Sequence, residues 1–206
     1  QTLQAVRGPR NQSFLHQRTG FINLLFHNRS YQTRLPPKMN ISMHSMSVAL
    51  FTTGLQQLGH MLDKAEANAK TRGFNADTLV FARLAPDVFA LARQVQLTCD
   101  FAKKSAARLA GVEPPAMEDT EKTLADLRRR VDRTVEFLAT IEPAAIDGSA
   151  SREIKVPLRD RTLEYAGLPF LQKWALPNFY FHLTTVYDIL RHNGVDLGKA
   201  DFLGKY

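Results

Sequence analysis

Histidine and cysteine are the side chains that could bind a metal ion or act as nucleophiles in this sequence. Within residues 39–206 they are His44, His60, Cys99, His182 and His192. A metal centre inside a helical protein needs several such ligands converging from facing helices. The sequence contains no HExxH, no paired CxxC, no Ser-His-Asp ordering and no glycine-rich phosphate loop. It therefore offers isolated candidates, and no catalytic or cofactor-binding residue is predicted.

His182 is the candidate metal ligand, with His60 second. Counting from the helix ends places His60, Asp100 and His182 at a similar height in an up-down-up-down arrangement of helices. His60, however, falls on the outward face of its helix when Leu55 and Leu62 point inward. The three side chains are therefore not expected to converge. A structural role for His182, as hydrogen-bond partner of a backbone group or a tyrosine, is favoured over metal binding.

Cys99 and His192 are expected to be structural. Cys99 lies between Val95 and Ala102 on an apolar stripe, where a buried thiol without a basic neighbour is unreactive. His192 lies in the last turn of its helix, where its charged form would favour the helix dipole. A single cysteine also excludes an internal disulfide framework, so a cytoplasmic location is expected.

Apolar residues recur every three or four positions in four separate stretches, which predicts four amphipathic helices. These helices cover about residues 45–70, 86–111, 119–140 and 169–192. The second is expected to start near Pro86–Asp87 and the third to have Asp119 as its N-cap. Ile154, Val156 and Leu158 alternate with polar residues or proline, which indicates a small β-hairpin before the last helix. The predicted fold is all-α, an antiparallel four-helix bundle with that hairpin.

The last predicted helix carries an excess of aromatic residues. The stretch Trp174–Gly194 holds the only tryptophan and the consecutive residues Phe179, Tyr180 and Phe181. Pro177 is expected to kink or divide this helix because its ring removes a backbone donor. Three consecutive aromatics cannot all face one core, so at least one should contact the hairpin, the C-terminal tail or a second subunit. A homodimer through these aromatics is the expected partner interaction.

The positive charge of the chain is concentrated at its beginning. The formal net charge is +7, and residues 1–38 hold six basic and no acidic side chains. The remainder is nearly balanced, so it lacks the clustered cations that nucleic-acid binding requires. Arg128–Arg130 on the third helix could suggest a phosphate site. Consecutive residues point in different directions, however, and acids lie nearby, which favours a solvated face.

Residues 1–38 have two interpretations. An arginine-rich, acid-free segment with hydroxyl side chains resembles an organelle-targeting leader. Alternatively, it is upstream or vector-derived sequence before a start at Met39, and this interpretation is favoured because the helical pattern begins directly afterwards. Residues 39–206 are predicted to form the single bundle domain. The apolar run Phe21–Phe26 is too short to span a membrane, and no other stretch is long enough, so no membrane association is expected.

Three segments resemble a known family. They are SMSVALFTTGLQQLGHMLDKA from Ser45, FARLAPDVFALARQVQLTCDFAKKSAARLAG from Phe81, and LPNFYFHLTTVYDILRHNGVDLGKADFLG from Leu176. The likeness is to the domain-of-unknown-function family nineteen-ninety-three and covers about residues 43–204. That family is similar in fold to the DinB-like helical bundles, many of which bind a divalent metal through three histidines. Some of those relatives are thiol transferases or isomerases.

The resemblance implies the bundle and assigns no activity. DinB-like proteins often have two histidines four residues apart on the last helix, whereas Val186 follows His182 at that spacing. The first functional hypothesis is therefore a non-catalytic module that self-associates or binds a small apolar ligand, without a cofactor. The alternative is a divalent-metal enzyme of the DinB-like type that uses His182 with zinc or nickel.

Overall fold

The computed structural model describes residues 41–204, so the predictions for segment 1–38 lie outside the described residues. Within this part the chain is mainly helical, with one small sheet of two strands. The helices are α1 (Val48–Arg72), α2 (Leu91–Ala110), α3 (Leu124–Ala139), α4 (Pro143–Asp147), α5 (Gly167–Phe170), α6 (Leu176–His192) and α7 (Lys199–Leu203), and the strands are β1 (Glu153–Pro157) and β2 (Thr162–Ala166).

The sequence predicted four helices, and the described residues contain seven. The four longer ones, α1, α2, α3 and α6, correspond to the predicted helices. The other three span five residues or fewer, which is too short to produce a periodic apolar stripe. None of the described helices is long and apolar enough to cross a bilayer.

The four longer helices share one core. α2 packs against α6 and α3, and α1 packs against α3 and α6. Phe51 of α1 meets Phe179 of α6 edge to face, with ring centroids 5.0 Å apart. Gly54 permits this contact, because a Cβ atom there would lie 2.7 Å from the Phe179 ring. On α2, buried Ala102 and Ala106 present small side chains, which agrees with its extensive contact with α6.

Two predicted helix starts were wrong. α2 begins at Leu91 rather than near Pro86–Asp87, because the Leu91 N–H donates back to the Ala82 carbonyl (2.9 Å) and closes a loop. α3 begins after Thr123, not Asp119. The Thr123 hydroxyl accepts the Asp126 N–H, and the Asp126 carboxylate accepts the Thr123 N–H, both at 3.0 Å. This capping box fixes the start of α3.

The hairpin before the last long helix is confirmed. Strands β1 and β2 are antiparallel, and Ile154 and Val156 turn into the core. On the other face Lys155 pairs with Glu164, at 3.6 Å between Nζ and Oε1. The chain then enters α5 at Gly167, where a Cβ atom would lie 2.0 Å from the Ser149 carbonyl oxygen. Only glycine fits this junction.

The last helix is divided, as Pro177 predicted. A π-helical turn, Leu171–Ala175, connects α5 to α6, and the Leu176 N–H donates to the Leu171 carbonyl five residues earlier. Pro177 follows immediately and cannot donate to the preceding turn. The Asn178 side chain donates to the Trp174 carbonyl (2.7 Å), which supplies part of the missing hydrogen bonding. The helical run thus starts at Gly167, slightly before the predicted Pro169.

Candidate functional site

His182 lies buried between α6 and α2 and is hydrogen-bonded to Gln94. The His182 Nδ1 atom lies 2.8 Å from Gln94 Oε1, and the Gln94 Nε2 atom donates to the Phe89 carbonyl (3.3 Å). An amide oxygen only accepts, so the proton of the neutral imidazole resides on Nδ1. The ring of Phe101 stacks on the imidazole at 5.4 Å, and Phe181 meets it edge-on at 5.2 Å. The expected structural bond exists, but its acceptor is a glutamine side chain.

The surroundings of His182 hold it in the neutral form. Burial and, to a smaller extent, the positive charge of Arg93 together lower its pKa to about 4. An imidazole that stays neutral near pH 7 cannot act there as a general acid. Its Nε2 atom forms no hydrogen bond within residues 41–204 and remains able to accept one.

His60, the second candidate, holds a different part of the molecule together. Its Nε2 atom lies 2.8 Å from Asp201 Oδ1, and Lys64 Nζ donates to both Asp201 oxygens at 3.1 Å. The Gly198 N–H also donates to Asp201 (2.7 Å), and together with the His60 bond it lowers the Asp201 pKa to about 2. His60 is half-exposed, as its outward position predicted. These bonds dock α7 on α1.

The side chains around His182 do not fit a metal centre. No three His, Cys, Asp or Glu side chains in the described range 41–204 lie close enough together to hold an ion. His182 binds Gln94, His60 binds Asp201, and Asp100 pairs with Lys103, Lys104 and Arg130, so the three residues of similar predicted height have separate partners. An amide oxygen and one imidazole are too few ligands for zinc or nickel.

Cys99 and His192 are the remaining candidates from the sequence, and their surroundings suit a structural role. Cys99 is fully buried, and burial raises the pKa of its thiol to about 12, so the nucleophilic thiolate is absent at neutral pH. His192 is exposed in the last turn of α6. The adjoining carbonyls of Asn193 and Gly194 accept hydrogen bonds from Arg72 and Asn68 of α1.

The burial of Arg130 was not predicted from the sequence. Arg130 is 2 % exposed, so the predicted solvated face is wrong at this position, although Arg129 is exposed. Arg130 pairs with Asp100, Asp119 and Glu121 at 3.1, 2.9 and 2.8 Å. Two of these acids belong to the α2–α3 linker, whose Glu118 carbonyl also accepts from Arg130 (3.0 Å). The acidic residues that pair with Arg130 from the linker lie outside α3. The helical pattern of α3 therefore could not indicate that Arg130 is buried.

Exposed aromatic side chains lie on α6 and just before α2. We define the aromatic surface as Phe89, Tyr180 and Phe181, whose exposed fractions are 56 %, 37 % and 63 %. Phe89 is linked to α6 through Gln94 and His182, as described above. Phe179, the first of the three consecutive aromatics, is fully buried. The three consecutive aromatics therefore do not all face the core, as the sequence predicted, and contact of one of them with the hairpin, the C-terminal tail or a second subunit stays a prediction.

The fold, together with the three sequence segments that begin at Ser45, Phe81 and Leu176, agrees with a known family. The model of the family described as "Domain of unknown function (DUF1993)" matches residues 43–203. The chain belongs to the DUF1993 family. No curated protein matches this DUF1993 chain.

A solved structure is also similar to this DUF1993 chain. It is the crystal structure of a DinB family member protein from Shewanella denitrificans, with 41 % sequence identity and a TM-score of 0.74. The match covers 79 % of this chain and 92 % of that one. The predicted resemblance to DinB-like proteins is thereby confirmed, and it brings a fold without an assigned reaction.

Proposed function

We propose that this DUF1993 protein is a non-catalytic helical module that acts as a homodimer through its aromatic surface. In this proposal the four longer helices form the bundle that presents the surface. The observation that carries it is Phe181, which is 63 % exposed on a helix whose neighbouring positions Phe179 and His182 are buried. Leaving a large aromatic side chain in water costs free energy that association recovers.

The aromatic surface is rigidly supported. The Arg83 guanidinium donates to the Val88 carbonyl (2.7 Å), and Gln94 donates to the Phe89 carbonyl, so two side chains hold the backbone at Phe89. Behind Phe181 the imidazole of His182 is bound to α2. Preorganised aromatic side chains lose little conformational entropy on association, which suits them to the centre of an interface. A twofold axis would place the surface against its own copy.

Sedimentation equilibrium of the full chain, with Phe181→Ser as the test variant, examines this proposal. The wild type is expected to be a dimer, and the variant to dissociate at least about tenfold more readily, because a buried aromatic anchor is lost. Val112→Ser is the matched control, since Val112 is 47 % exposed but follows the opposite end of α2. A wild type that stays monomeric, or equal dimerisation of the Phe181 variant, would overturn the proposal.

The alternative, a DinB-like metal enzyme using His182, predicts one zinc or nickel ion per chain. The donor set around His182 argues against it, because its nearest polar partner is an amide and not a second anionic or imidazole ligand. Elemental analysis of the purified full chain separates the two proposals. We expect no stoichiometric metal. If one ion per chain is found and is lost in His182→Ala, the proposal of a non-catalytic module is wrong and the metal enzyme is supported.

The proposed cytoplasmic location rests on the single cysteine, which offers no internal disulfide. A buried thiol whose pKa is raised to about 12 has no partner cysteine in the chain and is protected from oxidation. Such a residue fits a protein that does not depend on disulfides.

A further inference from the structure

We propose that a cleft beside α3 binds the phosphate group of a small phosphorylated molecule. The cleft has a volume of about 380 Å³ and is lined by Thr120, Glu121, Asp126, Arg129, Arg130 and Arg133. Its volume lies within the range of small-molecule pockets. It is separate from the aromatic surface and from His182, and no residue of the proposed dimer interface lines it.

The two acidic residues of the cleft are already bound by donors of the protein. Glu121 accepts from Arg130 through Oε1 and from Gln96 through Oε2, both at 2.8 Å. Asp126 accepts the backbone N–H groups of Lys122 and Thr123 through Oδ2, and Arg129 binds its Oδ1. These bonds fix both carboxylates on their own donors, and the arginine donors that remain must outweigh their negative charge to hold an anion.

The arginines, in contrast, retain unused donors. Arg133 makes no ion pair within residues 41–204, and all its guanidinium donors are available. Arg130, which is almost fully buried, leaves its Nε atom without a hydrogen-bond partner in the same range. This Nε atom is closed off from solvent, so Arg133 supplies the donors that an acceptor bound in the cleft can reach.

Phosphate is the ligand class that suits this arrangement. Arg129 and Arg133 are four residues apart on α3, so their side chains extend from the same helix face. Planar guanidinium groups bind phosphate oxygens through paired hydrogen bonds. The Thr120 hydroxyl lies in the same cleft and offers a further donor. A phosphate monoester carries close to two negative charges at neutral pH and so matches two arginines better than a monoanion does.

Isothermal titration calorimetry of the full chain with inorganic phosphate, glycerol 3-phosphate and acetate tests the site. We expect saturable binding of both phosphates, and acetate binding at least about tenfold weaker because it carries one charge. Arg133→Gln should weaken phosphate binding by about tenfold or more, since charge-assisted hydrogen bonds are lost. Arg133 is exposed, so this variant is expected to fold as the wild type does.

Arg161→Gln is the matched control because it makes the same change at an exposed arginine in the hairpin turn. Thr120→Val tests the hydroxyl without altering charge and should also weaken binding, whereas the control should not. Tighter binding of glycerol 3-phosphate than of inorganic phosphate would identify a phosphorylated metabolite as the ligand source. Absence of saturable phosphate binding, equal binding of acetate, or an unaffected Arg133 variant would each overturn the proposal.

Discussion

The Nδ1 atom of His182 lies 2.8 Å from the Oε1 atom of Gln94, so one buried hydrogen bond joins α6 to α2. Both side chains are almost inaccessible to solvent, at 8 % and 1 % exposure. The bond therefore satisfies two polar groups that would otherwise be unpaired in the core. It also assigns His182 a structural task at the position where a metal ligand was considered.

The stability of the protein should depend on pH through His182. The folded-state pKa is about 4, below the ordinary value of 6.5, so between these values the unfolded chain binds a proton that the folded one does not. The free energy of unfolding is expected to fall by up to about 3 kcal/mol as the pH drops from 6.5 to 4. Urea denaturation of wild type and His182→Asn measures this. The variant should lose that dependence, whereas His192→Asn should retain it.

Removing the partner of His182 should destabilise the protein. Gln94→Leu leaves the Nδ1–H group buried without an acceptor, at an expected cost of about 1–3 kcal/mol. The double variant Gln94→Leu/His182→Phe removes both polar groups and should recover part of that loss. Chemical denaturation of the two variants at pH 7 gives the comparison. Equal destabilisation by single and double variants would mean that the hydrogen bond contributes little.

Arg130 should be essential for the α2–α3 connection. Arg130→Met removes the cation but leaves Asp100, Asp119 and Glu121 close together, and we expect a loss of about 3–5 kcal/mol in unfolding free energy. Arg129→Met, at the exposed neighbouring position, should cost less than about 1 kcal/mol. Thermal and urea unfolding of both variants measures the difference. Similar losses for the two would show that burial of the Arg130 network is not stabilising.

The contact between α1 and α6 should tolerate no additional atom at Gly54. Gly54→Ala would bring a Cβ atom to 2.7 Å from the Phe179 ring, and such overpacking costs about 1–3 kcal/mol. Gly148→Ala is the control, because a Cβ atom there meets nothing within 4 Å. Differential scanning calorimetry should show a lower Tm only for the Gly54 variant. Adding Phe179→Leu should lessen the clash, and a Gly54 variant as stable as wild type would contradict the prediction.

Helical periodicity predicted the core of the long helices because burial and spacing are directly linked there. The apolar residues of α1 that recur every three or four positions are all buried, namely Val48, Phe51, Leu55, Leu58, Leu62, Ala65 and Ala69. The starts of α2 and α3 could not be read in the same way. Asp119 has the right chemistry for a cap, but its carboxylate is bound by Arg93 and Arg130. Thr123 takes that role because it is free to bond Asp126.

The candidate site was only partly predictable for the same reason. The sequence placed His60 on the outside of α1, and its half-exposed position agrees with the described structure. The partners Gln94 and Asp201 are 88 and 141 residues away along the chain, so no local pattern could identify them. Arg130 shows the same limit, since the Asp119 and Glu121 carboxylates reach it from an irregular linker.

The π-helical turn at Leu171–Ala175 sets how the chain before it is rotated about the axis of α6. Each residue advances an α-helix by about 100°, so one residue more or less in this turn rotates everything before it relative to α6. The hairpin precedes the turn, and the aromatic surface of α6 follows it. A single-residue deletion here would swing β1 and β2 around the helix axis while leaving Phe181 in place. Within a family, chains that differ by one residue at this turn would therefore share the position of Phe181 but differ in the orientation of the hairpin.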